Sequence, residues 1–277
     1  MISPPAVSIR MLLLFTLLVC LCGCAHGRTA RSNTMFEIPD RQRISYEYGH
    51  VREFEMELPV MGQDYTTSTT KYIYTVEGAG SPGEFRITCD DASMTSISYD
   101  PGMGDPRTHD ADMSKLIGRV EEVRLNERGL VTSVTDKATD TAVAETGGEG
   151  NYQFLFLFLP EVPMTPGVEW TRATSDTIES AGTSMIQNRD VTYRCIEETV
   201  IEGQPVWKVA VEGEVTMVSH SMNMEAAGVI KGTIYANRQN SLVWEAEEKS
   251  TLSGNLSMMG QNASISMTMT MTVRILR

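Results

Sequence analysis

The chain has 277 residues, of which 41% are hydrophobic and 21% are charged, and its net charge at pH 7 is −13. This apolar content excludes a disordered or collagen-like protein, and the length allows one large domain or two moderate ones. Because the acidic surplus repels phosphate backbones, the composition also argues against a nucleic-acid partner.

The first predicted element is an apolar segment near the amino terminus. Residues 11–22 are apolar except for Thr16 and follow a single positive charge at Arg10. The segment is shorter than the roughly 20 residues that a membrane-spanning helix needs, and it has the length of a signal-peptide core. We therefore predict a signal peptide over residues 1–23.

The apolar segment ends in Leu21-Cys22-Gly23-Cys24, which resembles the lipobox of bacterial lipoproteins. The resemblance implies that Cys24 is lipidated and begins the mature chain, with residues 24–38 as lipid anchor and flexible tether. Several acyl chains on one residue hold a soluble domain on a bilayer. Ala25 replaces the Asp that retains such proteins in the inner membrane, so the resemblance implies an outer-membrane protein facing the periplasm. The alternative is an ordinary secretory signal cleaved near residues 25–30.

The rest of the chain is predicted as antiparallel strands, because apolar and polar residues alternate along it. Such alternation places one set of side chains in a core and the other in water. The apolar sets are Phe54, Met56 and Leu58; Phe85, Ile87 and Cys89; Trp207, Val209 and Val211; and Ile265, Met267, Met269, Met271, Val273 and Ile275.

Two similar turn sequences, around Asn126 and Asn237, suggest two related halves, by duplication or by convergence. We predict a mainly β protein with little helix after the signal peptide. Its halves, residues 39–150 and 151–277, would form a curved sheet, an open barrel or a sandwich. Residues 110–117 are predicted as a short helix or a loop.

Residues 154–159 alternate only Phe and Leu, so both faces of this segment must be covered. One interpretation is a core segment that seals one half against the other. The second is that Phe154, Phe156 and Phe158 line a hollow for an apolar ligand.

Cysteine use leaves two alternatives. If residues 1–23 are removed and Cys24 is lipidated, only Cys89 and Cys195 remain. An oxidising envelope permits a disulfide between them, whereas two buried free thiols on strand faces are equally compatible with the pattern.

Methionine is unusually frequent, with 18 residues, and Met267, Met269 and Met271 share one strand face. Thioethers bind Cu(I), so an envelope copper-binding protein is one hypothesis. The other is that these residues fill an adaptable core or line an apolar pocket, since they continue the face of Ile265 and Val273.

We find no catalytic motif in the sequence, and we predict neither a cofactor nor a metal site. Four histidines occur, without a Gly-x-Ser-x-Gly elbow. Acidic residues between positions 100 and 112 do not have the spacing of a calcium loop. An enzyme whose site is assembled from scattered loop residues is the alternative in a different functional class.

A Leu-Pro-x-x-Pro segment at Leu159 leads to Gly167-Val-Glu-Trp170 at the middle of the chain. In this layout the mature part resembles uncharacterised β-rich envelope lipoproteins. We expect a non-enzymatic, lipid-anchored protein of the bacterial cell envelope that binds an apolar ligand or docks another envelope component.

Overall fold

The structure is a computed structural model that describes residues 36–39, 42–58, 62–99, 104–139, 141–142, 152–180, 183–219, 221, 223–258 and 261–276. The predicted signal peptide and Cys24 lie outside these residues. Thr34–Arg277 forms one compact unit by its internal contacts. Within the described residues, no helix has the length and hydropathy needed to cross a bilayer.

Strands dominate the described chain, as the alternating pattern predicts. The one short 3-10 helix among the described residues covers Tyr152–Leu155. The strands are β1 (Arg43–Leu58), β2 (Gly62–Gly78), β3 (Glu84–Tyr99), β4 (Arg107–Ala111), β5 (Val120–Leu125), β6 (Val131–Asp136), β7 (Thr141–Ala142), β8 (Glu169–Ser180), β9 (Thr183–Ile201), β10 (Gln204–Ser219), β11 (Met224–Asn237), β12 (Val243–Met258) and β13 (Gln261–Leu276).

All strands in the described residues belong to one antiparallel, 13-stranded sheet, which does not close within that part of the chain. Its order is β7-β6-β5-β3-β2-β1-β13-β12-β11-β10-β9-β8, with β4 paired to β3 beside β5. The first long strand therefore pairs with the last, from Ser45 opposite Leu276 to Glu57 opposite Ser264. Of the three predicted arrangements, the structure has the curved sheet, and the two predicted halves share it without a break.

The predicted alternation is confirmed in the burial of the strands. Phe85, Ile87, Val209 and Val211 are buried on the inner face of the sheet, together with Val273 on β13. The outer face carries many of the carboxylates, which keep their hydration there. Exposed members are Glu53, Glu55, Glu57, Glu212, Glu214, Glu225, Glu245 and Glu247.

Glycines on the inner face of β10, β11 and β12 allow neighbouring backbones to approach closely. A Cβ atom at Gly228 would lie well inside 3.0 Å of the Thr251 carbonyl oxygen, and one at Gly254 would meet the Glu225 carbonyl in the same way. Glycine in a strand interior often marks such a close backbone approach. A side chain at either position would therefore push the two neighbouring strands apart.

The Phe-Leu segment covers one end of this concave face. Leu155, Phe156, Leu157, Phe158 and Leu159 are all buried. After the 3-10 helix the chain is extended, and Phe156 forms an isolated β-bridge with Leu242. The expectation that both faces of this segment are covered is confirmed for residues 155–159, while its role in sealing one half against the other stays a prediction.

The two Asn turns hold this covering segment from either side. In each turn the Asn side-chain oxygen accepts a hydrogen bond from the backbone N–H two residues later, at 2.9 Å for Asn126 and 2.8 Å for Asn237. The Leu157 N–H donates to the Ser241 carbonyl, and the Leu159 N–H donates to the Arg128 carbonyl. The two predicted halves thus contact the segment through similar turns, while their boundaries remain a prediction.

Residues 110–117 do not form a helix. Asp110 and Ala111 belong to β4, and a turn follows in which the Leu116 N–H donates to the Met113 carbonyl. The loop alternative is therefore the right one, because the segment supplies too few apolar residues to bury a helical face.

Candidate ligand-binding site

The concave face that the covering segment leaves open forms a cavity of about 330 Å³. Strands β1 and β8–β13 contribute to its wall, and the covering segment closes one end. All six residues that the sequence proposes as an apolar lining border this cavity: Phe154, Phe156, Phe158, Met267, Met269 and Met271. The six residues thus share one cavity, and its use as a hollow for an apolar ligand stays a prediction.

The three methionines form a row along β13. On the neighbouring strand, His50 lies opposite Met271, Arg52 opposite Met269 and Phe54 opposite Met267. All three methionines are half-buried, unlike Ile265 and Val273 at the two ends of the row, which are buried. Flexible thioether side chains adapt to ligands of varying shape. The copper hypothesis for these residues remains a prediction.

Aromatic side chains form the end of the cavity beneath the covering segment. Phe154 is half-buried and stacks on Tyr48, with ring centroids 4.1 Å apart. Phe156 is buried against Phe85, at 4.9 Å between centroids. Phe158 accepts the Trp170 indole N–H at its backbone carbonyl, at 2.8 Å. The Phe side chains therefore differ in how much of their surface the cavity reaches.

Charged and polar side chains also border the cavity, and we did not predict them from the sequence. They are His50, Arg52, Arg172, Asp176, Arg189 and Glu248. Arg189 on β9 forms an ion pair with Glu248 on β12, across the inner face of β10 and β11. The glycine opposite Glu248, Gly232, places no side chain in the way. Extending the alternation backwards from Phe54 would have placed His50 and Arg52 on the inner face.

Burial changes the protonation behaviour of this polar group. Desolvation lowers the pKa of His50 to about 4, and the positive charge of Arg52 lowers it further in the same direction. Burial raises the pKa of Tyr48 to about 12. At neutral pH both side chains are therefore uncharged, so the arginines and the two carboxylates determine the charge of the cavity.

A second polar group anchors the covering segment to the sheet. Glu121 on β5 is 1% exposed and forms an ion pair with Arg119, at 2.8 Å. Arg119 also donates to Asp136, at 2.9 Å. Burial raises the pKa of Tyr152, and so does its hydrogen bond with Glu121. Glu121 is buried with these partners and is not among the residues that border the cavity, so its role is structural.

Cys89 and Cys195 are both buried and free. They lie on β3 and β9, and strands β2, β1, β13, β12, β11 and β10 stand between those two in the sheet. The Cys89 thiol donates to the Asp91 carbonyl, at 3.6 Å, and burial raises its pKa to about 11. Of the two alternatives from the sequence, the structure has the free thiols and lacks the disulfide.

The acidic residues near His109 do not assemble into a site in the described part of the chain. His109 and Asp110 are exposed on β4, and Asp110 accepts a hydrogen bond from Thr95, at 2.7 Å. Residues 100–103 and His220 lie outside the described residues. In the residues that the structure describes, no three His, Cys, Asp or Glu side chains are grouped as a metal site would require.

Comparison with known proteins shows a likeness in fold. No family model and no curated protein matches the chain. A solved structure described as lipid–protein interactions in lipovitellin has a TM-score of 0.52 to this chain at 8% identity. The match covers 85% of this chain and 25% of the lipovitellin chain, so the chain spans about a quarter of the length of that neighbour. The likeness therefore concerns the fold of this chain and of the matched quarter of the lipovitellin chain.

Proposed function

We propose that this protein is a non-enzymatic, lipid-anchored component of the bacterial cell envelope that holds an apolar ligand, such as an acyl chain, in its cavity. The single observation that carries the ligand-binding part is the convergence of the Phe154–Phe158 aromatics and the Met267–Met271 thioethers on one open cavity. The likeness to lipovitellin, whose structure is described in terms of lipid–protein interactions, supports the same choice.

Binding of an apolar ligand is favourable because the ligand and the cavity wall both remove apolar surface from water. Burying a CH₂ group contributes about 0.8 kcal/mol, so a chain of several such groups is retained by apolar contact alone. The cavity volume of about 330 Å³ lies at the lower end of small-molecule sites. Its opening to solvent lets a ligand enter without unfolding of the sheet.

The lipid anchor and the outer-membrane location rest on Leu21-Cys22-Gly23-Cys24 and on Ala25. An anchor of this kind would keep the cavity close to a bilayer, which is the source of acyl chains. Docking of another envelope component remains compatible with the same anchored position.

Metabolic labelling tests the anchor. Cells that express the full chain are grown with an alkynyl palmitate, and we expect label on the wild type and none on Cys24→Ala. Cys22→Ser is the matched control, two residues earlier, and should keep the label. An unlabelled wild type, or label that persists in Cys24→Ala, would contradict lipidation at this residue.

Dye binding tests the cavity. The compact unit Thr34–Arg277 contains every described strand and the covering segment, so it is a self-contained folding unit. We expect saturable binding of the uncharged dye N-phenylnaphthylamine, followed by its fluorescence. Met269→Trp fills part of the cavity and should weaken binding about tenfold.

The control for this experiment is Thr270→Trp, which adds the same side chain to the outer face of the same strand. It should bind the dye as the wild type does. No saturable binding by the wild type, or equal binding by Met269→Trp, would rule out the cavity as the ligand site.

A further inference from the structure

The inner face of the sheet differs in charge from the protein as a whole. The chain carries a net charge of −13, yet the cavity is bordered by three arginines against two carboxylates, Asp176 and Glu248. Many of the remaining carboxylates lie exposed on the outer face. The cavity is therefore a locally positive region inside an acidic protein.

Two of the three arginines already have partners. Arg189 forms its ion pair with Glu248. Arg172 donates a hydrogen bond to Tyr193, and its guanidinium lies 5.7 Å from the centroid of the Phe158 ring. The charged groups of these two side chains therefore already interact with neighbouring residues in the wall of the cavity.

Arg52 is different. Its side chain is exposed to the open cavity, and among the described residues it forms no ion pair. Desolvation by the surrounding walls is the first cause that lowers the pKa of Arg52. Its neighbour His50 adds no charge at neutral pH, since its own pKa is lowered to about 4. The Arg52 guanidinium is therefore available to pair with an anion that enters the cavity.

Arg52 also lies beside the apolar lining. It is directly opposite Met269, and the adjacent inner positions place Phe54 opposite Met267. Directly opposed residues in antiparallel strands have Cβ atoms about 5 Å apart. On this side of the cavity, the positive charge of Arg52 therefore lies on the strand next to the apolar methionine row. Guanidinium groups are well suited to carboxylates and phosphates because they donate two parallel hydrogen bonds.

From these observations we infer that the cavity takes an amphiphile with an anionic headgroup, a carboxylate or a phosphate, which pairs with Arg52 while the chain lies along Met267, Met269 and Met271. This inference rests on the proposed function, and it narrows the ligand class from any apolar molecule to an anionic one. The Arg52 side chain supplies the selectivity, and the apolar surface supplies most of the affinity.

Competition with probes of equal chain length tests this assignment. Dodecanoate, dodecyl phosphate and dodecanol are compared, below their aggregation concentrations, for displacement of N-phenylnaphthylamine from Thr34–Arg277. We expect at least one of the two anions to displace the dye at about tenfold lower concentration than dodecanol, because a hydrogen bond to a charged group contributes more than a neutral one. The better anion identifies the headgroup.

Arg52→Gln should bring the anions to within about twofold of dodecanol and leave dodecanol unchanged. Arg194→Gln, which removes the same charge from the exposed outer side of β9, should keep the preference. Equal displacement by all three probes in the wild type would overturn the inference even if Arg52→Gln fails to fold, and it would leave the proposed function intact. Displacement by none of them would instead contradict the proposed function.

Discussion

Gly228→Ala is expected to cause the largest loss of stability among single methyl additions to the sheet. The added Cβ would overlap the Thr251 carbonyl oxygen, and the nearest atoms are backbone atoms of β12, which cannot rotate away. Either β11 or β12 must therefore move, and the backbone hydrogen bonds between these two strands become longer. Overpacking of this kind lowers the free energy of unfolding by about 3 kcal/mol. The reduced flexibility of the unfolded chain raises it by less than about 1 kcal/mol.

Urea unfolding, followed by tryptophan fluorescence and circular dichroism, measures this effect. Ala227→Val is the matched control, because it adds two methyl groups at the adjacent position on the exposed outer face. The control should change the free energy of unfolding by no more than about 0.5 kcal/mol. Equal stability of Gly228→Ala and the wild type would mean that the backbone of β12 does not approach Gly228 this closely.

The strands and their faces could be predicted from the sequence, because their signal is local. The alternation of Ile265, Met267 and Val273 with polar residues is contained in one short segment. An alternation of apolar and polar residues with a period of two indicates directly which side chains of a strand are buried. The buried positions of β3 and β10 could be predicted for the same reason.

The joining of the two halves into one open sheet could not be predicted. The pairing of β1 with β13 joins the two ends of the chain, and nothing in either strand specifies the other. The close backbone approach at Gly228 could not be predicted for a related reason. A glycine within a strand indicates that another group approaches the backbone closely at that position. Only the structure of the partner strand shows which group this is.

The candidate site was predicted in part. Phe154 to Phe158 and the methionine row were found because large apolar residues at regular spacing are conspicuous. Arg52 and Glu248 were missed, because a charged residue in an alternating strand is expected on the outer face. The open cavity changes that expectation, since its water allows a charged side chain to face inward.

Phe156→Ala is expected to have the largest effect within the covering segment. Phe156 is 2% exposed, pairs with Leu242 and packs on the Phe85 ring. Truncating a buried phenylalanine costs about 3–5 kcal/mol, because apolar contact is lost and a cavity remains. The segment touches both Asn turns, so its loosening should lower the cooperativity of urea unfolding as well as the midpoint.

Phe154→Ala is the informative comparison, because Phe154 belongs to the same segment but is half-buried and faces the cavity over Tyr48. Its cost in stability should be roughly half that of Phe156→Ala, in proportion to the apolar area buried. N-phenylnaphthylamine binding should show the opposite order, with the greater loss of affinity in Phe154→Ala once the folded fraction is accounted for. If both variants lose stability and dye binding equally, the segment acts as a single block, and the division of its side chains between core and ligand site is wrong.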